Sequence, residues 1–226
     1  NLVTQFAQNH TQYDDATLKS NFKKALIDEV DSKLNGPAYL LNTGKRIALN
    51  LQKLAHQADI VLDLHTGPIS SKHLYCPSYA TDSARYFNIE HVLLIPSDFD
   101  GAMDEANFCP WWHLSDALSG QGRELSIPVE AFTVELGSQE KIDLKEALND
   151  ANSILSYLNH KGVLQNATNT PADITRYACN LDDYFAYYAP IGGMVEYIAP
   201  LGGHIKAGEP IANILRMERY LSEQPL

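Results

Sequence analysis

The stretch Asp59-Ile60-Val61-Leu62-Asp63-Leu64-His65-Thr66-Gly67 decides how this chain is read. Residues 59–64 are a short run of strand formers, apolar on both parities, as in a central strand covered on both sides. His65-Thr66-Gly67-Pro68 ends it. A period of two puts Asp63 and His65 on one face. Val129–Leu136 reads as a second such strand, with Glu135 near its end and Gly137 just beyond. Shorter strands are expected at His73–Cys76 and His91–Ile95. Apolar residues at helical spacing predict helices over Asp14–Leu34 (Leu18, Phe22, Ala25, Leu26, Val30) and about Thr43–Ala58 (Ile47, Leu51, Leu54). Further helices are expected around Thr81–Phe87, Trp111–Leu118 and Ile142–His160, the last with Leu144, Leu148, Ala151, Leu155 and Leu158 on one face. Strands alternating with helices indicate an α/β sheet flanked by helices.

The pattern changes after Lys161. Asn166–Pro171 is linker-like, and beyond it short strand candidates (Tyr184–Ala189, Gly193–Ile198, Ile211–Leu215) are separated by glycines. We therefore expect an α/β domain over 1–165 and a small all-β domain over 175–226. A chain of 226 residues buries a sufficient core without staples. Seventeen basic against 28 acidic residues give a net charge of −11, which argues against a general nucleic-acid binder or a polybasic membrane surface. No apolar run reaches the length of a transmembrane helix, and residues 1–12 lack a signal-peptide pattern. The first residue is Asn1, not Met, so a processed product or a piece of a longer protein is expected. Cys76, Cys109 and Cys179 form no C-x-x-C motif, and reduced thiols in a cytoplasm are expected.

Ligands in open α/β sheets bind beyond the carboxyl ends of strands. An imidazole and a carboxylate delivered there suit a hydrolytic site, with His65 as a metal ligand and Glu135 as a general base. Asp63, on the same face, is placed to orient His65. Other pairings are weaker. His56 with Asp59, and His113 with Asp116, are expected to be surface or capping residues. His73 and Cys76 have ligand-like spacing, but on a strand they point to opposite faces. Arg123, in the Gly120-Gln121-Gly122-Arg123 loop, is a candidate for holding a substrate carboxylate, as is Arg85. The cluster Phe108-Cys109-Pro110-Trp111-Trp112-His113 reads by default as core packing and otherwise as a pocket wall.

The words Asp-Leu-His-Thr-Gly at 63–67 and Phe-Thr-Val-Glu-Leu-Gly at 132–137, about seventy residues apart, resemble those of the succinylglutamate desuccinylase/aspartoacylase family. The resemblance implies a zinc-carboxypeptidase-like mixed sheet and a zinc-dependent deacylase acting on N-acyl amino acids or related small amides. It implies that His65 is the third zinc ligand and Glu135 the general base and proton shuttle. The family's other two ligands come from an upstream His-x-x-Glu, a spacing found nowhere in this chain. A catalytic zinc normally takes three protein ligands, so the remaining two are expected upstream of Asn1. Leu2 and Phe6 align with the family's Asp-Leu-Asn-Arg-x-Phe segment, but Val3 and Thr4 stand where Asn and Arg bind substrate.

Residues 189–211 resemble a biotinyl/lipoyl-type half barrel, with Leu215-Arg216-Met217-Glu218 where a carrier has its modifiable lysine turn. Glu218 in the lysine place argues against covalent biotin or lipoate. The expected role is that of the family's β domain beside the active-site mouth. The competing reading is a binding module or inactive relative lacking a complete metal site.

Overall fold

The computed structural model describes residues 2–37, 41–98, 101–164 and 173–217. The linker at 166–171 and Glu218 lie outside them. Helices α1 (Leu2–Asn9), α2 (Asp15–Leu34) and α3 (Thr43–Ala55) precede strand β1 (Ile60–Gly67). Then come β2 (His73–Pro77), α4 (Thr81–Ala84), β3 (His91–Ile95), α5 (Met103–Ser119), β4 (Glu130–Ser138), α6 (Leu144–His160) and β5 (Tyr177–Asn180). Strands β6 (Met194–Tyr197) and β7 (Ala212–Leu215) pair antiparallel in a separate two-stranded ladder.

The five-stranded sheet has the order β1-β4-β2-β3-β5. β1 runs parallel to β4, β2 antiparallel to β4, and β3 parallel to β2 and β5. The sheet is mixed and flanked by helices, as expected. β1, however, is an edge strand among the described residues, not a central one. Its double-parity apolarity reports two covered faces: Val61 packs into one cluster and Ile60 and Leu62 into the other. Periodicity says nothing about which strand lies beside it.

Two cores sandwich the sheet. One joins α1, α2 and α5 to Val61, Tyr75, Ile95 and Ala131. Phe22 and Trp111 lie at its centre, edge to face with centroids 4.8 Å apart. The other gathers Leu74, Cys76, Val92, Phe132 and Val134 around Phe87 and Tyr157. Each such fully buried side chain contributes roughly 1.5–3 kcal/mol by leaving water. The Trp111 cluster is therefore core, as its default reading had it.

Several local expectations shift. α5 begins at Met103, eight residues earlier than expected, because Glu105 Oε2 accepts from the N–H groups of Gly101 (2.6 Å) and Ala102 (2.8 Å) and caps the first turn. The helix continues through Pro110. Residues 2–9 form a helix whose Val3 and Phe6 enter the core. The expected strand at 184–189 has no regular structure, and residues 177–180 instead extend the five-stranded sheet. The apolar faces expected on α3 and α6 are exposed: Ile47, Leu51 and Leu54 on one, Leu144, Leu148 and Leu155 on the other. Leu49 and Ala55 on α3, and Ser153 and Tyr157 on α6, are buried instead. A helical apolar stripe identifies a face without supplying its cover. No described helix is long and apolar enough to cross a membrane.

Candidate active site

β1 and β4 lie in parallel register, so their carboxyl ends deliver side chains in pairs. His65 is opposite Glu135, and Asp63 opposite Thr133. Antiparallel β2 extends both rows, placing His73 opposite Glu135 and Tyr75 opposite Thr133. Paired residues share a face, and this is the face that Val61 and Ala131 cover farther down with α1, α2 and α5. Just beyond the rows the strands are tied together: Ser138 Oγ donates to Pro68 O, and Gln139 N–H to Gly67 O at 2.7 Å. Gly137 lies within β4 where its pairing with β1 shifts register, and its φ of +96° is a conformation that glycine adopts without steric cost.

At the centre stands His65, with its side chain half exposed. Its Nε2 is 3.1 Å from Asp63 Oδ1, and its Nδ1 is 3.7 Å from Glu135 Oε1. Of the two carboxylates Asp63 stands nearer the ring and is the one placed to orient it. Glu135 is more enclosed, its side chain 16% exposed. The structure thus brings Asp63, His65 and Glu135 into one contiguous group.

A tetrahedral catalytic zinc site takes three protein ligands. Glu135 is flanked by two imidazoles, His65 and His73, but among the described residues no group of three His, Cys, Asp or Glu is placed to hold a metal. On their own they do not make a zinc site.

Other candidates are placed elsewhere. Arg123 is held by structural partners: its guanidinium donates to His10 O (3.3 Å), Thr11 O (2.8 Å) and Asp15 Oδ1 (2.7 Å), fastening the loop between α1 and α2. His56 is buried at the end of α3, where burial and the Lys33 charge push its pKa down to about 4. Asp59 pairs with Lys19 and Lys23, and His113 Nε2 lies 3.1 Å from Asp98. Cys76 enters the opposite core, and burial raises its thiol pKa to about 12. Cys76, Cys109 and Cys179 form no disulfide among the described residues.

Periodicity along single strands missed the groups that other elements bring to this face. Burial raises the Tyr75 phenol, and Tyr184, Glu135 and Asp104 add to the effect. Asp104, from the first turn of α5, is 1% exposed; its Oδ1 accepts from Glu105 N–H at 3.0 Å. Its Oδ2 and the neighbouring Thr133 Oγ1 lack hydrogen-bond partners of good geometry. The only sequence signal for this group was Thr133, two residues before Glu135 on the same face.

Known proteins resemble this chain in sequence and fold. Residues 8–161 match the succinylglutamate desuccinylase/aspartoacylase catalytic domain. A succinylglutamate desuccinylase/aspartoacylase protein from Shewanella frigidimarina NCIMB 400 superposes with a TM-score of 0.92 at 48% identity, over 99% of this chain and 59% of that one. A family protein from Shewanella amazonensis SB2B gives 0.92 at 50% identity, over 97% and 60%. The chain thus spans about three fifths of their length. The product-bound ectoine utilization protein EutE (DoeB) from Ruegeria pomeroyi, 19% identical with a TM-score of 0.59 over 81% of this chain and 54% of that one, shares the fold. No curated protein matches. With its catalytic-domain match spanning most of the chain and the paired strand ends in place, this chain belongs to the succinylglutamate desuccinylase/aspartoacylase family.

Proposed function

We propose that the intact protein is a zinc-dependent amidohydrolase that removes the acyl group from an N-acyl amino acid or similar small amide. The observation that carries this reading is the pairing of His65 with Glu135 at neighbouring strand ends, 3.7 Å apart, with Asp63 behind His65. Family membership supports a deacylase-type hydrolase. Glu135, a carboxylate without a cation fixed to it among the described residues, acts as the base. It takes a proton from the attacking water as the carbon–oxygen bond forms. It then returns that proton to the leaving nitrogen as the carbon–nitrogen bond breaks, so the carboxylate ends unchanged. Asp63 holds the His65 ring in its orientation through these steps. His65 is one zinc ligand in this proposal, and residues outside the described ones supply the others. Three cysteines outside any disulfide fit a reducing, cytoplasmic setting.

The test is Glu135→Gln in the intact, zinc-loaded protein, assayed against a panel of N-acyl amino acids. Turnover should fall by about 100-fold or more while zinc content by elemental analysis stays at the wild-type level. Turnover near the wild-type rate would overturn the assignment.

A further inference from the structure

Glu135 has an imidazole on either side. β1 places His65 beside it, and β2 places His73 in register on the other flank. Adjacent strands are about 4.8 Å apart, so His73 sits one strand spacing from the proposed base. Cys76, its apparent partner by spacing, points into the opposite core.

The His73 ring is held in place. Its Nδ1 is 2.9 Å from Ser71 O, an acceptor only, so this nitrogen carries a proton and donates it. The ring meets Tyr75 edge to face at 5.2 Å. Nε2 has no hydrogen-bond partner among the described residues. It is the open end of a fixed, partly buried imidazole.

An N-acyl amino acid carries a carboxylate close to its scissile bond, and such a group needs a donor. Arg123 is bound into the loop between α1 and α2. The neighbouring Lys72 is directed to α6, pairing with Asp150 (2.6 Å) and Glu146 (2.7 Å). His73 is the side chain in the Glu135 row with an unused nitrogen. In an amino acid amide the carboxylate carbon is three bonds from the scissile carbon, a span of under about 4 Å. One strand spacing bridges that distance.

We propose that His73 binds the substrate carboxylate. Its imidazolium donates from Nε2 to the carboxylate and from Nδ1 to Ser71 O. The proton on Nε2 comes from solvent as the anion binds, and no bond is made or broken in the substrate. This assignment rests on the amidohydrolase reading and adds the substrate class that the same site selects.

The experiment compares His73→Ala and His73→Gln with wild type in the intact, metal-loaded protein. Each is assayed on an N-acyl amino acid, on the same compound with its α-carboxylate replaced by a carboxamide, and on one whose acyl chain lacks any carboxylate. For the carboxylate substrate, His73→Ala should raise KM about tenfold or more and leave kcat within about threefold. His73→Gln, which keeps an N–H donor, should recover part of the loss. The compound that escapes the effect identifies which carboxylate is bound. Equal effects on all three substrates, or none on any, would overturn the proposal. Failure of the hydrolase reading appears separately, as an active Glu135→Gln variant or as a wild type that cleaves none of the panel. In the latter case the His73 imidazole 15N resonances are followed during titration with N-acetylglycine. A shift of Nε2 to the protonated form on binding supports the proposal, and unchanged resonances overturn it.

Discussion

Replacing Asp104 by Asn should stabilise the protein at neutral pH and do little in acid. The Asp104 side chain is 1% exposed, accepts one hydrogen bond through Oδ1, and leaves Oδ2 without a partner of good geometry. Burial, with the adjacent Glu105 charge adding to it, pushes its pKa from 3.8 up to about 6. Between those values the folded protein keeps a proton that the unfolded chain has lost, so stability falls as pH rises through this window. A shift of about two units corresponds to about 3 kcal/mol, lost in full above the window. Asparagine resembles the neutral acid and does not titrate. It also removes a negative charge from the first turn of α5, which costs about 0.3–1 kcal/mol. The net expectation is a variant more stable by about 2 kcal/mol at pH 7.5 and nearly equal to wild type at pH 4. In urea denaturation followed by far-UV circular dichroism, that gain moves the midpoint at pH 7.5 upward by about 1 M. A variant equally destabilised at both pH values, or one with no pH-dependent difference, would refute the reasoning.

Two other perturbations separate structure from site. Phe22→Ala removes a ring with no exposed surface from the core against Trp111, and should lower stability by about 3–5 kcal/mol in the same assay. Arg123→Ala should lower the melting temperature through loss of its bonds to His10, Thr11 and Asp15, while KM for an N-acyl amino acid stays unchanged. A large rise in KM there would return Arg123 to the substrate site.

Short-range pattern was enough for much of this protein. The Asp63-x-His65 alternation and the apolar run before Glu135 identified two strands and which side chains share a face at their ends, because strand geometry alone sets that. Helix α2 followed its apolar spacing, and Leu18, Phe22, Leu26 and Val30 are buried as that spacing implies. The faces of α3 and α6 did not follow theirs, because burial depends on a neighbour that periodicity does not name.

Only tertiary structure decided what stands beside Glu135. Parallel pairing of β1 with β4 set His65 on one side, and antiparallel β2, distant from β4 in sequence, set His73 on the other. The first turn of α5 carried Asp104 to Thr133, and the loop before α2 claimed Arg123. A side chain's residue type and its parity along a strand are local properties. Its partners across the sheet depend on strand order and register, which are set by contacts between distant segments.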